Sequence, residues 1–117
     1  MRRAARLIDS YAGSHHLARW SDVAQGDGTF DVPASFFVRP GSDGPQLRRI
    51  EAAMRAAART GRIVHLWWHP HNFGVRTAEN LASLRRLLET FAALRDRHGL
   101  ESLGMADVAA RCGARRG

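Results

Sequence analysis

The sequence predicts an α/β fold built on a mainly parallel sheet. Short β-favouring runs alternate with longer runs of 3.6-residue apolar period, in the order strand, helix, strand, helix, short strand, helix. This alternation is typical of right-handed βαβ units, whose strands lie parallel. The chain has 117 residues, the size of one domain, and its 44% hydrophobic and 25% charged content is typical of globular proteins.

The first third of the chain contains one predicted helix, one loop and one strand. Residues 2–12 are compatible with a short helix, whereas residues 13–34 are rich in the glycine, proline and aspartate that favour turns. Ser35–Val38 is aromatic and β-branched, and Pro40 follows it, so we predict a short strand there.

A helix and a second strand come next. Residues 45–60 are predicted to be helical, with Pro45 in the first turn and Gly61 at the end. The apolar positions with helical period are Leu47, Ile50, Met54, Ala57 and Ala58. Ile63–Trp68 is β-favouring and almost continuously apolar, which predicts a strand buried on both faces.

The strongest helical pattern covers residues 78–98. Thr77 is the expected N-cap, Glu79 complements the helix dipole, and Gly99 is expected to end the helix. The predicted apolar stripe consists of Leu81, Leu84, Leu88, Phe91 and Leu94. Beyond it we expect an extended piece over residues 100–103, a short helix over residues 105–110 and a frayed tail over residues 112–117.

Two or three strands are few for a parallel sheet, which normally lies between layers of helices. We therefore expect the chain to be the C-terminal portion of a larger α/β domain. Its leading edge strand would then be exposed, and exposed edges favour aggregation, dimerisation or marginal stability.

Composition excludes several classes of protein. A single cysteine, Cys112, forms neither an internal disulfide nor a multi-cysteine zinc site. No apolar run approaches the roughly 20 residues of a membrane helix, so we expect no membrane span. The N-terminus lacks the continuous apolar region of a signal peptide, so we expect a cytoplasmic location.

All 18 basic residues are arginine, and the net charge is +7. Guanidinium groups suit phosphate oxygens, so a nucleic-acid-binding surface is one interpretation. The arginines are scattered as pairs rather than gathered into one stripe, however, and biased composition accounts for them equally well. We therefore do not expect nucleic acid as the partner.

The densest group of functional side chains lies in residues 62–74. Three of the six histidines and two of the three tryptophans fall within residues 65–71. His65 and His69 have a spacing that binds zinc on a helix, but this segment favours a strand and Pro70 disfavours helical geometry. On a strand the two residues stand about 13 Å apart, so we predict no metal site here.

His69 is the candidate for proton transfer. It follows a predicted strand, and the reacting groups of α/β barrels gather at the C-terminal ends of strands. Histidine ordinarily titrates near neutral pH, as a general acid or base requires, although a structural role stays open. Trp68 and His71 are the candidate substrate-binding residues, with core packing and a plain loop position as their alternatives. We expect His65 to be a hydrogen-bonded core residue.

Three stretches carry a resemblance to a known family. They are Asp31–Pro40, Leu47–Ala57 and, most specifically, His65–Gly74 with the sequence HLWWHPHNFG. Together they resemble the C-terminal half of polysaccharide deacetylases of the NodB-homology class. Shorter matches between residues 79 and 105 continue the likeness, so the resemblance spans roughly residues 31–110.

The resemblance implies a partial (β/α) barrel over residues 31–111, preceded by an N-terminal helix and loop segment over residues 1–30. It also implies hydrolysis of N-acetyl groups on cell-envelope carbohydrates, so an N-acetylated polysaccharide or oligosaccharide is the implied partner. The family uses a divalent metal, usually zinc, to polarise the acetyl carbonyl and activate a water. The match at Leu66–His69 implies that His69 protonates the departing amine.

The metal-binding motifs of the family have no match in this sequence. Its paired aspartates are absent, because Thr29–Val32 is only a superficial echo of them, and so is its metal-binding histidine pair. We therefore expect no cofactor in this chain and no deacetylase activity from the chain alone, with a complementing chain or a homo-oligomer as candidate partners. Two alternatives stay open: a non-catalytic α/β module that binds a glycan or a protein, and an arginine-rich nucleic-acid binder.

Overall fold

The computed structural model describes residues 17–38 and 44–116. In these ranges it contains three α-helices and a two-stranded parallel sheet, which confirms the predicted α/β class. The elements are β1 (Phe36–Phe37), α1 (Gly44–Thr60), β2 (Leu66–Trp67), α2 (Thr77–His98) and α3 (Met105–Arg116), with short 3-10 turns at Trp20–Asp22 and Pro70–Gly74. The helix predicted over residues 2–12 lies outside the described residues.

The sheet joins β1 to β2 in parallel, and α1 lies between them in sequence. Phe36 is the register partner of Leu66, and Phe37 that of Trp67. The backbone N–H of Val38 donates to the carbonyl of Trp67 at 2.9 Å. Both strands are shorter than predicted, and Ile63, which we placed in the second strand, forms an antiparallel bridge with Ala18 instead.

Helix α1 buries the apolar face that its sequence predicts. Leu47, Ile50 and Met54 are buried with Leu87 and Leu94 of α2 in the main core. Three alanines on an adjoining part of α1 pack with Leu17, Phe36 and Val64: Ala53, Ala56 and Ala57. Gly61 ends α1 with φ +73°, as expected of a left-handed C′ glycine.

The prediction that the second strand is buried on both faces is wrong. Val64 and Leu66 pack against the core, but Trp67 is 38% exposed and Trp68 is 40% exposed. In the described part of the chain, residues of α1 and α2 form the core against which Val64 and Leu66 pack. An apolar sequence alone does not distinguish a strand covered on both faces from one whose second face carries exposed aromatic rings.

Two predictions for α2 need correction. Thr77 is not the N-cap, because Arg76 occupies that position with φ 51°, while the Thr77 hydroxyl donates to the carbonyl of Phe73 at 2.8 Å. The predicted apolar stripe is only partly buried, since Leu81 and Leu88 are 52% and 56% exposed. The C-terminal prediction is confirmed, because Gly99 ends α2 with φ +73°.

The C-terminal region also differs from expectation. The segment over residues 100–103 forms no strand, and α3 continues to Arg116 rather than ending near Ala110. Cys112 therefore lies on a helix and is buried with Val23 and Val108. Gly104 is the residue before α3, and its backbone N–H donates to the Asp107 carboxylate at 2.9 Å. None of the helices in the described ranges is long and apolar enough to cross a membrane.

Candidate functional site

Four ring side chains gather on one face of the sheet, and we call them the His69 cluster: Phe37, Trp67, His69 and His71. Trp67 lies 4.4 Å from Phe37 between ring centroids. His69 meets both rings edge-on, at 5.3 Å from Trp67 and 5.8 Å from Phe37. His71 stacks on His69 with centroids 5.2 Å apart and ring planes 12° apart. The cluster thus combines two imidazoles with two flat apolar rings.

The sheet register explains the aromatic half of the cluster. Phe37 and Trp67 are partners across the parallel pair, so their side chains leave the sheet on the same face. Successive side chains of an extended chain alternate between faces, which brings His69 to the side of Trp67. The 3-10 turn Pro70–Gly74 then folds the chain back, and His71 comes to lie against His69.

The turn that carries His71 is fastened to the start of α2. The Thr77 hydroxyl donates to the Phe73 carbonyl, and the side-chain amide of Asn80 donates to the Val75 carbonyl at 2.6 Å. Asn80 is buried whereas Val75 is exposed, so this hydrogen bond is partly shielded from water. The position of His71 therefore depends on the N-terminal turn of α2 as well as on its own segment.

Both imidazoles of the cluster are exposed to solvent, as is part of the Trp67 ring. An exposed imidazole can donate or accept a proton, and an aromatic face can pack on the apolar side of a sugar ring. The arrangement can therefore bind a flat or ring-shaped ligand next to a group that transfers a proton.

The structure brings two of the three predicted site residues together. His69 and His71 are in contact, whereas the ring contact of Trp68 is with Phe73, at 5.6 Å. Trp67, not Trp68, is the indole beside His69. Sequence reasoning missed Trp67 and Phe37 as members of the site. The alternation of side chains from His69 back to Trp67 is the signal that could have found the first of them.

His65 has the hydrogen-bonded role expected of it, although it is half-buried rather than fully in the core. Its Nδ1 lies 2.9 Å from the carbonyl oxygen of Val32. Its backbone N–H donates to the Ser35 hydroxyl at 2.9 Å, and its carbonyl accepts from the backbone N–H of Ser35. These bonds fix the segment before β1 to the start of β2, which supports a structural role for His65.

Within residues 17–38 and 44–116, no three His, Cys, Asp or Glu side chains are grouped so that they could hold a metal ion. The functional groups of the His69 cluster are thus imidazole nitrogens and aromatic faces.

Comparisons of the chain with family models, with curated proteins and with solved structures gave no match.

Proposed function

We propose that this chain supplies the proton-donating part of a polysaccharide deacetylase site, within a partial (β/α) barrel that acts on N-acetylated carbohydrates. One observation carries the proposal: an exposed imidazole, His69, lies just beyond the C-terminal end of a parallel strand and is flanked by aromatic rings. The sequence HLWWHPHNFG around it, which resembles the family, gives that position its chemical interpretation.

The proposed step is the departure of the sugar amine. Hydrolysis of an N-acetyl group breaks the bond between the acetyl carbon and the nitrogen, and the nitrogen needs a proton in order to leave as an amine. A protonated His69 donates that proton through a ring N–H and becomes neutral. Positioned proton transfer of this kind typically accelerates a reaction by about 10²–10⁴-fold.

The aromatic rings of the cluster have a separate task, which is to hold the sugar. The C–H groups of a pyranose form an apolar face that packs on an indole or phenyl ring, and Trp67 and Phe37 offer such rings beside His69. His71 adds a polar group for a hydroxyl of the sugar. The sugar contact predicted for Trp68 stays a prediction.

The metal of the family would polarise the acetyl carbonyl and activate the attacking water. The described residues do not fit such an ion, because they include no group of three suitable ligands. The proposed role of this chain is therefore confined to the proton and the sugar. A complementing chain that carries those ligands is the proposed source of the metal-binding part.

A carbohydrate titration followed by NMR tests the proposal. The isotope-labelled chain is titrated with tetra-N-acetylchitotetraose, and the imidazole signals of His69 and the indole signal of Trp67 are followed. We expect both to shift with one saturation curve, and we expect Trp67→Ala to abolish the shift at His69. Trp20→Phe is the control, because Trp20 packs against the cluster around Val108 instead.

Two outcomes would contradict the proposal. The first is an absence of saturable shifts at millimolar sugar, and the second is a set of shifts confined to residues outside the His69 cluster. The fully deacetylated tetrasaccharide separates the catalytic role from plain glycan binding. A deacetylase site close to the acetyl group should distinguish the two sugars, whereas equal affinity for both would favour the non-catalytic glycan-binding module.

A further inference from the structure

The second strand is paired along one edge only. In the described part of the chain the sheet has the order β1-β2, with nothing on the far side of β2. The carbonyls of His65 and Trp67 point towards β1, where they accept hydrogen bonds. Successive residues of a strand point their backbone groups to opposite edges, so those of Val64, Leu66 and Trp68 point away from β1. Such an edge can pair with another strand.

A groove of about 600 Å³ lies beside this edge, and we call it the β2 groove. Val64, Leu66 and Trp68 all line it, together with the C-terminal half of α1, one side of α2 and the segment after α2. The α2 side is apolar and includes Leu84, Leu87, Leu88 and Phe91. A free strand edge and an apolar surface therefore face the same space.

We propose that the β2 groove binds an extended peptide segment in which apolar side chains alternate with acidic ones. Added as a strand, the segment pairs its backbone with the free edge of β2. Its alternate apolar side chains then contact the helices. In strand addition the main-chain hydrogen bonds supply affinity, and the alternate side chains supply specificity. This inference goes beyond the proposed hydrolase role and does not depend on it.

The charges along the groove indicate an acidic segment. Glu101 and Arg111, which both line it, neutralise one another through two hydrogen bonds of 3.2 and 2.9 Å. Arg62 also lines the groove, is half-buried, and has no acidic partner among the described residues. A carboxylate on the bound segment would complement its guanidinium. The net charge of +7 favours an acidic partner further.

The position of the strand edge and the net charge of the chain disfavour a second copy of the chain as the occupant of the groove. When two copies pair through the same strand edge, that edge must stand clear of the rest of each copy. The free edge of β2 does not, because it borders a groove. Each copy also carries a net charge of +7, so the two would repel one another. The dimerisation expected from an exposed edge is therefore an outcome for the experiment to test.

The test uses a capped seven-residue peptide of alternating glutamate and valine, titrated into the isotope-labelled full chain. We expect saturable NMR shifts and slower hydrogen exchange at the backbone amides of Val64, Leu66 and Trp68. The same peptide N-methylated at its inner residues lacks the backbone donors and should bind at least about tenfold more weakly. A version with lysine in place of glutamate should bind about fivefold more weakly.

Two exposed leucines of α2 provide a matched pair of variants. Leu88 lines the β2 groove and Leu81 does not, so Leu88→Glu should weaken peptide binding at least about fivefold while Leu81→Glu leaves it unchanged. Arg62→Glu should reverse the preference between the glutamate and lysine peptides. The proposal fails if millimolar peptide gives no saturable shifts, if N-methylation has no effect, or if Leu81→Glu weakens binding as much. A dimer that protects the same three amides without peptide would overturn the choice of occupant.

Discussion

The guanidinium of Arg86 donates to the carboxylate of Glu51 at 2.6 Å, and this contact joins α2 to α1. The Thr90 hydroxyl donates to the other carboxylate oxygen, also at 2.6 Å. The Glu51 side chain is only 12% exposed, so water competes little for its oxygens. The two helices that cover the sheet are thus held by a polar contact as well as by their leucines.

Removal of this carboxylate should destabilise the fold. Glu51→Ala loses two hydrogen bonds, one of them charge-assisted, so we expect the free energy of unfolding to fall by about 1–2 kcal/mol. Arg86 limits the loss because its side chain is 42% exposed and can be hydrated again. Urea unfolding followed by circular dichroism measures the change.

Glu89→Ala is the matched control for that variant. Glu89 pairs with Arg85 within α2 at 3.2 Å, but both side chains are largely exposed. Exposed pairs of this spacing contribute about 0.3–0.5 kcal/mol, so the control should lose little stability. Equal losses in the two variants would show that the contact between the helices adds nothing beyond an ordinary surface pair.

The stabilising effect of Glu51 should depend on pH. The hydrogen bond from Arg86 lowers the pKa of Glu51 below its ordinary value of 4.5, against the opposing effect of burial, and the Thr90 hydrogen bond lowers it further. The contribution is therefore fully present above pH 4.5 and is lost as the pH falls through the lowered pKa of the folded state. The stability difference between the wild type and Glu51→Gln should shrink as the pH falls below 4.5 and through the lowered pKa of the folded state. A difference that grows on acidification would contradict this assignment.

The helices of this fold could be predicted because their signals are local. The apolar period of residues 45–60 and the glycines at positions 61 and 99 determine where α1 runs and where two helices end. The parallel pairing followed from the order of the elements. The helix signals depend on residues close to one another in the sequence, so no knowledge of long-range packing was needed for them.

The exposure of the side chains of β2 and of the residue after it could not be predicted from local sequence signals. Apolar residues such as Trp67 and Trp68 suit a buried strand, and only the placement of the helices shows that both rings are partly exposed. The members of the candidate site depend on the same long-range information. Phe37 reaches His69 through the register of β1 against β2, across about thirty residues of sequence.

The start of α2 shows how a local rule can be overridden. Threonine is a good N-cap, but Thr77 already uses its hydroxyl to hold the preceding turn through the Phe73 carbonyl. The N-cap position falls to Arg76, in a left-handed conformation that side-chain-bearing residues rarely adopt. The hydrogen bond that fixes the Pro70–Gly74 turn is a competing local contact, and the capping pattern does not contain it.

Gly99 should tolerate alanine poorly. It ends α2 with φ +73°, a conformation in which a Cβ is strained even though no neighbouring atom would contact it. We expect Gly99→Ala to lower the free energy of unfolding by about 1 kcal/mol. Gly113→Ala is the matched control, because Gly113 lies within α3 with open space around it. Alanine there should instead stabilise the fold by about 0.5–1 kcal/mol, and destabilisation of both variants to the same extent would refute the conformational explanation.

The purified chain should neither bind stoichiometric zinc nor release acetate from N-acetylated oligosaccharides. The expectation rests on the sequence, in which the paired aspartates and the metal-binding histidine pair of the deacetylases have no counterpart. Without a metal to activate water, the proton from His69 has no departing amine to meet. Zinc is measured by elemental analysis after dialysis, and acetate by an enzyme-coupled assay, with His69→Ala in parallel. Stoichiometric zinc with turnover that is lost in His69→Ala would show that this chain carries a complete site, so that no complementing chain is required.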